Sequence, residues 1–158
     1  MPAELIDGAA VAATVRAEVA RDAAALATRG IIPGLTVVLV GDDGASAVYV
    51  KAKEKACHEA GMHGETIRMP ASTTQAELLA VVDRLNADPA IHGILVQMPL
   101  PKQIDPQAII RRIAPHKDVD GFHPVNVGKV LIALQRNMIK KNTILKNKDM
   151  VKTLLLVI

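Results

Sequence analysis

Leu35-Thr36-Val37-Val38-Leu39-Val40 is an unbroken run of apolar and β-branched residues, bounded by Pro33-Gly34 on one side and Gly41 on the other. A strand with one wet face alternates apolar and polar side chains, whereas a run apolar throughout belongs inside a sheet covered on both faces. Working outward from this strand, residues 8–29 are alanine-rich, with Val11, Val15, Val19 and Leu26 near one face ahead of Gly30, which predicts a helix. Residues 44–60 read as a second helix closed by Gly61, and His63 to Met69 as a second strand. Thr74, with Glu77 three residues on, is a capping box that opens a helix to about Ala87. Gly93 to Gln97 is a third strand. Asp105-Pro106 supplies an N-cap and an N1 proline for a short helix to about Ile113. A polar loop, Pro115 to Pro124, leads into a helix starting near Val125. Strands separated by helices of this length predict βαβ units. The expected class is therefore α/β, a three-layer domain with a short, mainly parallel sheet and helices on both faces. Ligands of such sheets bind beyond the carboxyl ends of the strands, which directs attention to the loops after Val40, Met69 and Gln97.

The 158 residues fit one domain, and an apolar share of 50% is enough for a core. No apolar run approaches the roughly 20 residues of a membrane span, and Met1-Pro2-Ala3-Glu4 lacks the basic and apolar regions of a secretion signal. The single cysteine, Cys57, excludes an intramolecular disulfide and is read as a small buried apolar residue, so a cytoplasmic, reduced setting is expected. Charge and composition change along the chain. Residues 1–133 hold all 24 alanines and carry net charge −2; residues 134–158 hold no Ala, Gly or Pro and carry +5. The basic character thus belongs to the tail. Such a tail reads either as a nucleic-acid arm or as a solvated segment foreign to the body. The absence of aromatics to stack bases, and the interleaved Ile and Leu, favour the second, so no nucleic-acid or membrane partner is expected.

The chain has two aromatic residues, Tyr49 and Phe122. Tyr49 is read either as a stacking platform or as an ordinary helix residue. Lys53 stands four residues after it, on the same helix face. It is either a partly desolvated amine suited to proton transfer or a solvated charge beside Lys51, Glu54 and Lys55. The same Tyr-x-x-x-Lys spacing serves short-chain dehydrogenases, but the loop Gly41-Asp-Asp-Gly44 would press two acids against a pyrophosphate, which counts against that reading. Gln97 ends an apolar strand with a polar group aimed at the ligand region, and the two prolines of Met98-Pro99-Leu100-Pro101 stiffen the loop after it. Asp118-Val-Asp120-Gly-Phe-His-Pro124 lacks the regular set of oxygen ligands of a metal loop. Asp120 instead suits the paired donors of a 2-amino-4-oxo-pterin edge. The five histidines have no zinc spacing, so no metal is expected.

Together these stretches resemble the bifunctional methylenetetrahydrofolate dehydrogenase/methenyltetrahydrofolate cyclohydrolases. The matching segments are Ile6-Asp7-Gly8, Val40-Gly41-Asp42-Asp43 through Ala45-Ser46, Tyr49-Val-Lys-Ala-Lys53, Gly93-Ile-Leu-Val-Gln-Met-Pro-Leu-Pro101 and Lys117-Asp-Val-Asp-Gly-Phe-His-Pro-Val-Asn-Val-Gly128, in the family's order and spacing over about residues 4–133. The resemblance implies that Tyr49 stacks on the p-aminobenzoyl ring of a folate. It implies further that Lys53 is the catalytic lysine, that Gln97 is its hydrogen-bonded partner, and that Asp120 anchors the pterin. Pro99 and Leu100 line the substrate site on the same grounds. It implies two reactions: oxidation of 5,10-methylenetetrahydrofolate with NADP, and hydrolysis of 5,10-methenyltetrahydrofolate to 10-formyltetrahydrofolate.

Ala9 and Gly44 stand where the family commonly has lysine and proline. After about Ala133 the chain departs further, reading Leu134-Gln-Arg-Asn-Met-Ile-Lys-Lys141 where the family continues into a glycine-rich turn and a Pro-Cys-Thr-Pro segment. The expected organisation is a catalytic domain over 1–133 and a basic, non-matching tail over 134–158, with the nucleotide-binding domain absent and no NADP-binding residue in the chain. The family's homodimer contacts lie largely in that absent part. The expectation is hence no dehydrogenase activity and weak cyclohydrolase activity. The competing expectation is a non-catalytic folate-binding module or inactive truncated fragment. Met150-Val151, Leu154-Leu155 and Ile158 are spaced for an amphipathic helix.

Overall fold

A computed structural model describes residues 7–139 of the chain. The elements run α1 (Gly8–Ala27), β1 (Gly34–Val40), α2 (Gly44–Glu59), β2 (His63–Met69), α3 (Gln75–Ala87), β3 (Gly93–Val96), α4 (Pro106–Arg112) and α5 (Pro124–Ile139). The three strands form one parallel sheet in the order β2-β1-β3. The amphipathic pattern over Met150–Ile158 lies outside the described residues.

The central position of β1 explains its sequence. It pairs with β2 from Gly34 to Val40 and with β3 from Leu35 to Val38, and every residue of it is buried. Its side chains alternate between two cores. Val38 and Val40 join Ile94 and Val96 of β3 against Leu78, Val82 and Leu85 of α3 and Ile109 of α4. Leu35, Val37 and Leu39 join Leu95 against Val50 and Cys57 of α2. Each fully buried Val or Leu contributes roughly 1.5–3 kcal/mol, so these two clusters hold α2, α3 and α4 on the sheet. β2 is a sheet edge and shows it: Glu65 and Arg68 are exposed, while Gly64 is buried.

The caps fall where the residue types place them. Asp7 accepts from the N–H groups of Ala9 and Ala10, and Asp43 accepts from Ser46 N–H. Thr74 and Glu77 form the full capping box, and Asp105 with Pro106 opens α4. Element ends shift by a residue or two: β3 stops at Val96, although Gln97 N–H still donates to Val38 O at 2.8 Å. α1 differs more from its amphipathic reading. Ala23 is its buried residue, Val11 is 56% exposed, and neither core cluster includes a residue of it. Its alanines are too small to reach far into a neighbour. No described helix is long and apolar enough to cross a membrane.

The opposite edge of the sheet, beyond β3, is closed by an irregular segment. Ile94 N–H donates to Lys117 O at 2.7 Å, and Ile94 and Asp118 form a parallel bridge. Gly93 permits this approach, because a Cβ there would stand 2.7 Å from Val119 Cγ2. The loop after α4 is thereby drawn to the sheet and delivered to the carboxyl ends of the strands.

Candidate active site

α2 leaves the carboxyl end of β1 and carries Tyr49 and Lys53 one turn apart. Apolar Val50 and Cys57 face the sheet and are buried, which turns Tyr49 outward, 62% exposed, and leaves Lys53 half-buried at the margin. β3 ends immediately before Gln97. Lys53 Nζ donates to Gln97 Oε1 at 3.2 Å, joining residues 44 positions apart. The other end of the same amide is engaged as well, because Gln97 Nε2 donates to Met98 O at 2.9 Å. With its N–H group committed to the backbone, the amide presents its oxygen to the amine. The Met98–Pro99 peptide is cis. Pro99 is exposed, and Leu100 packs against the α3–α4 core cluster, so the segment starts at the site and ends in the core.

Asp120 completes the group from the third side. It is half-buried, and no described residue hydrogen-bonds to it. Burial pushes its carboxyl above the ordinary carboxylate range; the Lys53 ammonium opposes that rise and the Asp118 carboxylate adds to it. The charge of Lys53 therefore reaches Asp120 as well as Gln97. The two acids of the loop have separate tasks. Asp118 accepts from the N–H groups of Gly121 (3.1 Å) and His123 (2.9 Å) and from Asn126 Nδ2 (2.9 Å), so its oxygens are used within the protein. Gly121 takes φ +71 inside that turn, which an L side chain rarely adopts. Asp120 is left with its acceptors open.

The structure thus brings Lys53, Gln97 and Asp120 together, places Tyr49 one turn along on an open face, and sets Pro99 and Leu100 beside Gln97. Sequence reasoning gave no separate task to Lys117, Asp118 or Asn126. Lys117 and Asn126 are buried, and Asn126 donates to Pro115 O at 2.7 Å as well as to Asp118. The available signal was compositional: a lysine, an aspartate and an asparagine within ten residues of a loop next to an apolar strand. A shallow depression lined by Met69, Pro70, Thr73, Thr74, Glu77 and Val81 lies on the α3 side and contains none of the site residues. Chemistry, rather than concavity, marks the Lys53 group as the site.

The turns that could receive a dinucleotide can be tested directly. The Gly41–Gly44 turn opens α2, but the Asp43 carboxylate already caps that helix, and hydrogen bonds from Ser46 hold its carboxyl below the usual value. α3 opens on the Thr74–Glu77 box, with another carboxylate in place, and α4 opens on Asp105. Among the described residues, each of these helix N-termini presents an anion where a pyrophosphate would bind, so they do not fit NADP.

Comparison with known proteins places the chain. The family described as tetrahydrofolate dehydrogenase/cyclohydrolase, catalytic domain, matches residues 6–120. The bifunctional protein FolD 2 of Geobacter metallireducens is 59% identical over 128 residues, covering 81% of this chain and 45% of the relative. The crystal structure of the bifunctional methylenetetrahydrofolate dehydrogenase/cyclohydrolase FolD from Campylobacter jejuni superposes with a TM-score of 0.78 at 45% identity, over 80% of this chain and 45% of that one. The Trypanosoma brucei methylenetetrahydrofolate dehydrogenase-cyclohydrolase, solved with NADP and an inhibitor, gives a TM-score of 0.78 at 41% identity, over 84% of this chain and 46% of that one. The chain spans less than half the length of the curated relatives it matches. Match and superposition converge on the segment that carries the Lys53 group, and the chain belongs to the tetrahydrofolate dehydrogenase/cyclohydrolase family, through its catalytic domain.

Proposed function

We propose that this chain is the folate-binding catalytic part of a bifunctional folate enzyme, and that its own residues serve hydrolysis of 5,10-methenyltetrahydrofolate. The observation that carries the reading is the Lys53–Gln97 hydrogen bond, with Asp120 close enough to feel the charge of the same amine. In its base form Nζ donates one hydrogen to Gln97 and keeps a lone pair. Water adds to the methenyl carbon, forming a C–O bond, and its proton passes to Nζ. The C–N5 bond then breaks as the new hydroxyl oxygen gives its proton to solvent and forms the formyl C=O. The electron pair goes to N5, which takes the proton held on Nζ, and the formyl group stays on N10. Proton transfer by a positioned group supplies roughly two to four decades of rate. Asp120, with open acceptors, is assigned to the amino-pyrimidinone edge of the pterin. Tyr49 is assigned to the face of the p-aminobenzoyl ring, and Pro99 and Leu100 to the wall beside it. We place the domain boundary near Ala133, inside α5.

The hydride-transfer reaction needs NADP, whose chemistry is to accept a hydride from the methylene carbon. The acid-capped openings of α2, α3 and α4 do not fit the pyrophosphate of that cofactor, so no step of dehydrogenation is assigned to them. A binding role without turnover is the second reading, favoured by the exposure of Tyr49 and Phe122, at 62% and 58%, which leaves the site open to water. Loss of methenyltetrahydrofolate absorbance, followed with the chain and with Lys53→Ala, separates the two. A rate above buffer that disappears in the variant supports catalysis. Equal rates at the buffer level, with folate still bound, support the binding role.

A further inference from the structure

We propose that Lys117 is a positioning residue, whose ammonium ties the Asp118–Gly121 turn to the end of α3 and so fixes where Asp120 stands. Its Nζ donates to three backbone carbonyls, Leu85 O at 3.0 Å, Asn86 O at 2.9 Å and Asp88 O at 2.7 Å. Three donors thus meet three acceptors, and the residue is 8% exposed. An ammonium withdrawn from water at such cost normally faces a carboxylate. Here it is satisfied by the carbonyls at the C-terminal end of a helix, where the backbone dipole favours a cation. Backbone bonds fix the same residue from two other directions: Lys117 N–H donates to Ala114 O at 2.8 Å, and Lys117 O accepts from Ile94 N–H at 2.7 Å. Side chain and main chain together pin one residue to α3, to β3 and to the end of α4.

What is pinned is the base of the turn. The next residue, Asp118, spends its carboxylate on Gly121 N–H, His123 N–H and Asn126 Nδ2, and Asp120 stands between these anchors with no bond of its own. Asp120 is therefore held by its neighbours rather than by its side chain. A shift at Lys117 moves it away from Lys53 without touching either group. The inference deepens the functional reading above and rests on it for the ligand, while the ordering of the turn stands independently.

The test compares the full chain with Lys117→Met and Lys117→Arg. Amide hydrogen exchange is read at Gly121 and His123 and, as control, at Val37. Affinity is read by titration with tetrahydrofolate and with p-aminobenzoylglutamate, which lacks the pterin. Expected for Lys117→Met are exchange at Gly121 and His123 at least tenfold faster with Val37 unchanged, and tetrahydrofolate affinity at least tenfold weaker with p-aminobenzoylglutamate affinity kept. Lys117→Arg should recover part of both. Unchanged exchange at Gly121 and His123, or equal weakening of both ligands, would overturn the proposal. If the parent chain binds no folate, the functional reading fails and the exchange rates alone decide the inference. Should Lys117→Met not fold, Lys117→Gln gives the same two readouts, with the same opposing results.

Discussion

The two walls of the site are built by different physics. The α2 wall is a helix face: Val50 and Cys57 are buried against Leu35, Val37 and Leu39, and their burial alone decides that Tyr49 and Lys53 look outward. The opposite wall, Lys117 to Asn126, has few apolar contacts and is held by hydrogen bonds from buried polar groups, among them Lys117 to three carbonyls and Asn126 to Pro115 O and Asp118. A helix face tolerates exchange of its outward residues, because nothing structural depends on them. A polar loop does not, because its buried donors, Lys117 and Asn126, satisfy acceptors that are shielded from water. The catalytic candidate Lys53 sits on the tolerant wall, and the candidate anchor Asp120 sits on the intolerant one.

The sharpest way to break this contrast is Lys53→Ala. It should lower methenyltetrahydrofolate hydrolysis by about two to four decades while leaving unfolding free energy within about 0.5 kcal/mol. A large loss of stability, measured by urea titration, would mean that α2 is not the tolerant wall. Next in size is Asn126→Ala, which strips a donor from both Pro115 O and Asp118. Urea titration should show a loss of about 1–3 kcal/mol, and an unchanged midpoint would show that the loop does not depend on that amide. Tyr49→Ala comes third. Folate binding should weaken by roughly 0.5–1.5 kcal/mol if the ring stacks, with stability unmoved; equal affinity in a fluorescence titration would remove the platform.

The smallest effect concerns pH. Burial raises the Asp120 carboxyl in the folded chain, so between its unfolded and folded values the native state binds more protons. Asp120 therefore favours folding on the acid side, and that contribution is lost as pH rises through its folded value. Asp120→Asn should flatten the stability curve across the range just above the usual carboxylate value while weakening folate binding. An unaltered curve would place Asp120 in a more aqueous setting than the fold gives it.

The same contrast explains what could be read in advance. The strand Leu35–Val40 is apolar on both faces because it is the middle of three, and the Thr74–Glu77 box and the Asp105-Pro106 start are local chemistry, so all were legible residue by residue. Helical spacing put Tyr49 and Lys53 on one face with their roles open, and the family resemblance pointed to Tyr49, Lys53, Gln97 and Asp120 as the candidates. The anchors did not follow. Lys117 entered the sequence reading only as the start of a matching segment, because its acceptors are carbonyls about thirty residues earlier that no side-chain pattern announces. The exposure of α1 was likewise illegible: a helix rich in alanine has the period of a packed one but little surface to bury.

The central claim is that Lys53 and Gln97 act as one unit. The most direct test is a double-mutant cycle on methenyltetrahydrofolate hydrolysis, with Lys53→Ala, Gln97→Ala and both together. If Gln97 acts through the amine it accepts from, the double variant is no slower than Lys53→Ala alone. Rate losses that multiply would contradict the account, since each residue would then be contributing without the other.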